Sequence, residues 1–315
     1  MKCIVTGGAG FIGSHLVDRL LLDETNSVIV VDNFSTGSLK NIQHNIENSR
    51  MIIKNNDLGD LKKTIDVFRG AAVVFHLAAN ADVRYGLNDN FRDIDRNLIT
   101  TYNVLEAMRI NNISKIIFIS SAAIYGEPDV FPTPESYHPK QTSFYGASKI
   151  AAEALIEAFC EAYGMQAWIY RLVSIQGDRY SHGVTFDFFN KLKQSPHSLE
   201  ILGNGTARKS FIHVNDCIEA IMTGYLKSSE KINIFNVGHD ESISVTDIAN
   251  MIVDELELKD VKYTYSNNSR GWIGDSPLVL LDTGRIKLLG WSPSISIAET
   301  IKSTVRWLEN NNKLI

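Results

Sequence analysis

This 315-residue chain is poor in several features, and each shortage removes a class of protein. Only three cysteines are present, Cys3, Cys160 and Cys217, far apart and without a C-x-x-C pair, which excludes a disulfide framework and a cysteine metal cage. No apolar run reaches the ~20 residues needed to span a bilayer, so no membrane partner is expected. Basic charge is not in excess: Lys and Arg number 31 against 36 Asp and Glu, a net charge of -5. That balance speaks against nucleic acid as a partner, and any anionic ligand has to be held by local geometry. There is no internal repeat and no low-complexity tract. What remains is ordinary for a folded protein, with 44% hydrophobic and 21% charged residues. The cysteines fit a reducing, cytoplasmic setting, and a strand candidate at about residue 2 leaves no room for a signal or transit peptide.

Short β-branched runs alternate with longer stretches of helical period through the first half, the pattern of βαβ units and a doubly wound parallel sheet of the Rossmann kind. Strands are expected at 2–6, 28–31, 51–54, 73–76, 115–120 and 167–172. Ile94, Leu98, Tyr102, Leu105 and Met108 recur at spacings of three or four, so 92–110 reads as one amphipathic helix with these residues inward. A second long helix is expected at 145–163, and others near 183–194, 215–227, 245–256 and 296–311. At roughly 150 residues per domain the length suggests two lobes. The division is placed at 1–174, a dinucleotide-binding lobe, and 175–315, a smaller α/β substrate lobe, with chain crossings because no Pro/Gly linker separates them.

The first strand runs into Thr6-Gly7-Gly8-Ala9-Gly10-Phe11-Ile12-Gly13, after which helical spacing resumes with Phe11, Ile12, Leu16 and Leu20. Glycines at 7, 10 and 13 permit a tight turn, close backbone approach to a pyrophosphate and close helix packing, with the phosphates on the helix N-terminus. The second strand ends at Asp32, followed by Asn33, about 25 residues beyond Gly7, where a carboxylate accepts hydrogen bonds from an adenosine ribose and repels a 2′-phosphate. NAD is therefore expected rather than NADP.

The spacing Gly-x-x-Gly-x-x-Gly resembles that of the extended short-chain dehydrogenase/reductase family, and the resemblance covers nearly the whole chain. Asp57-Leu58 resembles the family's adenine-contacting pair, His76-Leu77-Ala78-Ala79 its loop after the fourth strand, and Asn97 its helix asparagine. Ser120-Ser121-Ala122-Ala123-Ile124-Tyr125-Gly126 is similar to the segment after the fifth strand, and Tyr145-Gly146-Ala147-Ser148-Lys149 to the Tyr-x-x-x-Lys motif. The resemblance continues through Phe211-Ile212-His213 to Leu289-Gly290-Trp291 and is strongest to the nucleotide-sugar 4-epimerases. It implies NAD contacts at Gly7, Gly10, Phe11, Ile12, Gly13, Asp32, Asn33, Asp57, Leu58, Leu77, Ala78, Ala79, Asn97, Tyr145 and Lys149. Ser121, Tyr145 and Lys149 are the implied catalytic set, and no metal is expected.

Residues i and i+4 share a helix face, so Tyr145 and Lys149 can meet one ligand. A phenol has a free pKa near ~10, and service as a base near neutrality requires lowering it by about three units, or ~4 kcal/mol of preferential anion stabilisation. Lys149 and a positive nicotinamide ring can supply that field, and Ser121 can relay the proton. Where the related 4,6-dehydratases carry an Asp-Glu pair, this chain has Ala122 and Ala123, which can neither remove a C5 proton nor protonate a leaving hydroxyl. Dehydration is thereby disfavoured.

Sugar-nucleotide contacts are expected from Ser121, Ser174, Arg208, Lys209 and Arg270. The family often has Asn where Ser174 stands, its diphosphate-binding Arg maps to Lys209, and Trp272 holds the place of a second Arg displaced to Arg270. The expected activity is NAD-dependent C4 epimerisation of a nucleoside-diphosphate sugar through a transient 4-keto sugar. A 4-ketoreductase or 4-dehydrogenase could use the same three groups, and a non-enzymatic dinucleotide sensor or scaffold is a rival of another class. A homodimer is expected through the two long helices, with Ala151, Ala152 and Ala154 allowing close approach.

Overall fold

The computed structural model describes residues 1–83, 88–266, 270–271 and 274–311. Its centre is a seven-stranded parallel sheet of β1 (Lys2–Thr6), β2 (Ser27–Asp32), β3 (Met51–Asn55), β4 (Val73–His76), β5 (Lys115–Ser121), β6 (Gln166–Leu172) and β11 (Ile232–Val237). The order is β3-β2-β1-β4-β5-β6-β11, so the direction of winding reverses between β1 and β4, where ligands of open α/β sheets lie. The six expected strands are all present. The seventh was not expected: Ile232–Val237 pairs in parallel with Ala167–Leu172, returning the chain to this sheet from beyond residue 175.

Helices cover both faces, as a fully buried parallel sheet requires. One face packs Leu16, Val17 and Leu20 of α1 (Phe11–Leu21) with Ile218 and Ile221 of α7 (Val214–Lys227) against Val5, Val30 and Phe75. The other packs Phe68 of α2 (Leu61–Phe68), Leu105 and Met108 of α4 (Thr100–Ile110) and Ile156 of α5 (Phe144–Tyr163) against Ile4, Val74 and Ile116. Caps set the ends of α5: Ser143 Oγ accepts the Gly146 N–H at 3.1 Å, and Gly164, at φ 66°, donates to Cys160 O.

After β6 come β7 (Ser174–Gln176), α6 (Val184–Gln194), β8 (Ser198–Ile201), β9 (Arg208–Lys209) and β10 (Phe211–His213), then α7 and β11. The remainder is β12 (Ile243–Ser244), α8 (Val245–Glu255), β13 (Lys262–Tyr265), β14 (Leu278–Val279), α9 (Gly284–Lys287) and α10 (Ile297–Asn311). Phe188 and Phe189 of α6, Ile248 and Ile252 of α8, and Ile301 and Val305 of α10 form a separate core.

The long helix expected at 92–110 departs from its pattern. A short α3 (Asn90–Asp93) leads into a π-helical turn, Ile94–Ile99, before α4. The extra residue in that turn shifts the helical phase, so Tyr102 is exposed and the inward positions are Asp93, Asn97 and Thr101, each at most 1% exposed. The buried face of this helix is thus polar for its first half, contrary to the apolar face expected from Ile94, Leu98 and Tyr102.

All three cysteines are buried and unpaired by disulfides. Burial pushes the Cys3 and Cys160 thiols up to about 11 and the Cys217 thiol further. Since the thiolate is the reactive form, the native protein at pH 8 is expected to resist a disulfide-exchange thiol reagent, while the denatured chain titrates all three thiols. Rapid colour from the native protein would contradict this burial.

Candidate active site

A cleft of about 1340 Å³ runs along the C-terminal ends of the sheet strands, larger than the ~300–1,000 Å³ typical for one small ligand. Its floor comes from the turns after β1, β2, β3 and β4 and the end of β5, and its opposite wall from residues such as Tyr180, Lys209, Phe211, Asp275 and Leu281.

Gly7, Gly10, Phe11, Ile12 and Gly13 line this cleft. Gly7 has φ 67°, and a Cβ there would lie 2.8 Å from Ala78 N; a Cβ on Gly13 would lie 2.1 Å from Gly7 O. Both positions require glycine. No side chain caps α1 and no acidic residue occupies its first turn, so its N-terminal N–H groups and positive dipole end are left for an anion. Asp32 ends β2 with one carboxylate oxygen accepting from Ala9 N and the other from Phe34 N, both at 2.9 Å. Each oxygen keeps a lone pair for a ribose hydroxyl, and burial holds the carboxyl above the usual carboxylate range. This donor and acceptor set fits NAD.

Asn33, Asp57, Leu58, Leu77, Ala78 and Ala79 also line the cleft. Asp57 is already engaged: it accepts from Asn33 Nδ2 at 2.9 Å, Arg96 Nη1 at 2.8 Å and Gly59 N at 2.8 Å. Burial raises its pKa, but these bonds outweigh it and hold the carboxyl below its ordinary value. Asn97 lies behind the wall instead of in it: its Oδ1 accepts from Asn80 N at 2.8 Å and its Nδ2 donates to Ser148 Oγ at 2.9 Å.

Tyr145, in the first turn of α5, and Ser121, at the end of β5, share the cleft with Ala122 and Ala123. Ser121 Oγ accepts the Ala123 N–H at 3.1 Å, so it caps the 3₁₀ turn 122–125 and leaves its hydroxyl proton for the Tyr145 oxygen or a ligand. Burial pushes the Tyr145 phenol up to about 12, with the Ser121 side chain pulling the other way. Lys149 sits below the floor, donating to Ile119 O at 2.9 Å, its ammonium 5.9 Å from the Tyr145 ring centre. Burial lowers its pKa to about 8, with Glu153 and Asp93 opposing. The chain alone therefore places a neutral phenol beside a poised cation, and the lowering expected of Tyr145 is not produced by Lys149 by itself.

On the second wall the basic residues separate. Ser174 and Lys209 line the cleft, the ammonium 2.5 Å from Asp275 Oδ1. Arg208, its neighbour on β9, projects to the other face of the strand and donates through Nε to Ser242 Oγ at 3.1 Å. Arg270 pairs with Glu127 at 2.6 Å, away from the cleft lining. Of the three expected cations only Lys209 faces the site. Trp272 lies outside the described residues.

Sequence reading missed Asn80, Arg96 and the buried pair Glu153 and Arg171, the last at 2.7 Å. Glu153 alone had a visible signal, continuing the i+4 spacing of Tyr145 and Lys149 along one helix face. Among the described residues no cluster of His, Cys, Asp and Glu could hold a metal, and no helix is long and apolar enough to cross a membrane.

The chain is 33% identical over 315 residues to a putative UDP-glucose 4-epimerase of Methanocaldococcus jannaschii, covering 98% of this chain and 99% of that protein. It is 31% identical over 309 residues to UDP-glucuronic acid decarboxylase 6 of Arabidopsis thaliana, covering 95% and 86%. The crystal structure of UDP-glucose 4-epimerase from Thermotoga maritima with UDP-glucose matches with a TM-score of 0.90 at 30% identity, covering 99% of this chain and 100% of that one. The profile of the NAD dependent epimerase/dehydratase family matches residues 3–238, from the first strand of the sheet to the seventh. With the glycine turn, Asp32 and the Tyr-x-x-x-Lys helix inside that span, the chain belongs to this family, and NAD is its cofactor.

Proposed function

We propose that this enzyme interconverts nucleoside-diphosphate sugars that differ at C4. The observation that carries the reading is what shares the cleft with Tyr145: the hydroxyl of Ser121, and methyl groups at Ala122 and Ala123 where elimination would need an acid and a base. Relatives include decarboxylases, in which the resemblance implies an acidic residue in this segment where this chain has Ala122 and Ala123. NAD, held by the glycine turn and Asp32, would supply the hydride acceptor and donor and, when oxidised, a positive charge that favours the phenolate. Ser121 orients the sugar 4-hydroxyl, and Tyr145 takes its proton as the C4 hydride leaves, then returns a proton to the carbonyl oxygen of the 4-keto sugar when the hydride comes back to the opposite face of C4; Lys149 stabilises the phenolate. Lys209, released from Asp275, is the cation placed to meet the diphosphate, and Ser174 lies beside it on the same wall.

The test is incubation of the purified protein with UDP-, GDP- and TDP-sugars without added NAD, followed by NMR. Interconversion of 4-epimers is expected; conversion only with stoichiometric NADH would mark a 4-ketoreductase, and inertness on every sugar would favour a sensor. The cofactor must survive each half-reaction, so nucleotide extracted from denatured protein is expected to be NAD(H). NADP as the sole nucleotide would refute the role given to Asp32.

A homodimer through α4 and α5 is also part of the reading. Ile99, Tyr102, Ile110, Phe144 and Tyr163 are exposed on these helices and the π-helical turn before α4, apolar surface that a second copy would cover. Ala154 is available for the contact, whereas Ala152 packs in the protein's own core. Light scattering at micromolar concentration is expected to give twice the chain mass; a monomer mass would reject the arrangement.

A further inference from the structure

The polar inward face of the 90–110 helix ends in a hydrogen-bond chain whose direction can be read proton by proton. Thr101 Oγ1 lies 2.5 Å from Asn97 O. A carbonyl only accepts, so the Thr101 hydroxyl proton is committed to it. At the other end Thr6 Oγ1 accepts from Leu77 N at 3.2 Å and Ala78 N at 3.3 Å, which leaves its own proton for His76 Nδ1 at 2.7 Å. Nδ1 therefore accepts. His76 Nε2, 3.0 Å from Thr101 Oγ1, must then carry the ring proton and donate it.

The chain continues toward the candidate catalytic helix. Asn97 holds Asn80 N with its Oδ1 and donates through Nδ2 to Ser148 Oγ, which in turn donates to Tyr145 O at 2.8 Å. Thr6, His76, Asn97, Thr101 and Ser148 are each at most 1% exposed, so no water competes for these bonds. The ring of Phe118 lies 5.7 Å from the imidazole, and the charged group acting on it is Lys149. Burial, with Lys149 adding to it, pushes the imidazole down to about 3.

We propose that His76 is a positioning residue: as the neutral Nε2–H tautomer it ties the loop Leu77–Ala79 to the π-helical turn and, through Asn97 and Ser148, fixes the first turn of α5 that carries Tyr145. An imidazolium would set a second N–H against Thr6 Oγ1 and force the Thr6 proton away. The opposite tautomer would leave Thr101 without a donor. The kinetic arm of the test rests on Tyr145 as the proton acceptor; the spectroscopic arm does not.

In the spectroscopic arm, long-range ¹H–¹⁵N correlation of the labelled full-length protein, with His76→Gln assigning the signal, is expected to show His76 as the Nε2–H tautomer from pH 8 down to pH 5. An Nδ1–H pattern, or protonation within that range, overturns the proposal. In the kinetic arm, Thr101→Val keeps shape and burial but removes the hydroxyl between His76 and Asn97. Because a misplacement of about 1 Å can cost roughly 100-fold, kcat is expected to fall at least tenfold while KM and bound NAD hold, and Thr101→Ser is expected to restore kcat. Wild-type kcat in Thr101→Val also overturns it. If Tyr145→Phe were fully active while the tautomer stood as stated, the assignment of Tyr145 would fail and the chain of bonds would not.

Discussion

Replacing Tyr145 by Phe is expected to lower turnover by roughly 100-fold or more, the scale for loss of a general base, while leaving NAD content and nucleotide-sugar binding nearly unchanged. The ring stays and keeps its packing at the start of α5; only the oxygen beside Ser121 is lost. The glycine turn, Asp32 and Lys209 lie elsewhere along the cleft, so binding has no reason to follow activity. Lys149→Ala should act differently. Burial, opposed by the Ser121 side chain, pushes the phenol up to about 12, so every nearby positive charge lowers the pH at which the base becomes available. Lys149, at about 8, is cationic below that pH, and its removal takes away part of the field. The acid limb of the pH–rate profile is then expected to move to higher pH in Lys149→Ala, with a smaller loss of rate at high pH than at neutrality. Near-wild-type turnover by a folded Tyr145→Phe protein would place the chemistry on another group.

What the sequence disclosed is local, and what it withheld is long-range. The glycine turn, the end of β2 at Asp32 and the Tyr-x-x-x-Lys helix are each set by residues a few positions apart, and the structure brings them to one cleft. Six of the seven sheet strands were legible because β-branched runs bounded by turns announce a buried parallel strand. Ile232–Val237 was not, because its two asparagines interrupt the apolar run: Asn233 and Asn236 are buried, and their amides bond Ala167 O, Glu230 O, Thr133 O and Asp282 O. Polar satisfaction of that kind depends on partners distant in sequence, which no local pattern contains. The same cause misled the helix reading, where the apolar spacing of Ile94, Leu98 and Tyr102 gave no sign that Asp93, Asn97 and Thr101 are the buried positions. Arg208 and Lys209 show a further limit, since adjacent positions on a two-residue strand point opposite ways and only the fold decides which one meets the cleft.

The buried pair of Glu153 and Arg171 carries the second large expected effect. Glu153 Oε2 lies 2.7 Å from Arg171 Nη2, its Oε1 accepts from Ser120 Oγ at 2.5 Å, and the two side chains are 1% and 6% exposed. Arg171 Nη1 donates to Tyr125 OH and Glu135 O, both at 2.8 Å, and Tyr125 OH donates to Asn236 Oδ1 at 2.7 Å. This network joins α5, β6, the turn after β5 and the seventh strand, behind the site. Removing one partner leaves the other charge buried without compensation, so Arg171→Met is expected to destabilise the protein by roughly 3–5 kcal/mol, read as a lower urea midpoint at unchanged slope. Pairing it with Glu153→Leu removes both charges, and the double variant is expected to recover part of that loss, because the uncompensated carboxylate is gone. Glu153→Gln adds a functional consequence with a definite sign. The Glu153 charge holds the Lys149 pKa up against burial, so its loss moves the Lys149 pKa below about 8 and deprotonates Lys149 at lower pH. The alkaline fall in activity that follows loss of the lysine charge should then begin earlier in Glu153→Gln than in the wild type. A pH–rate profile identical to the wild type in a folded Glu153→Gln protein would show that Lys149 does not depend on this carboxylate.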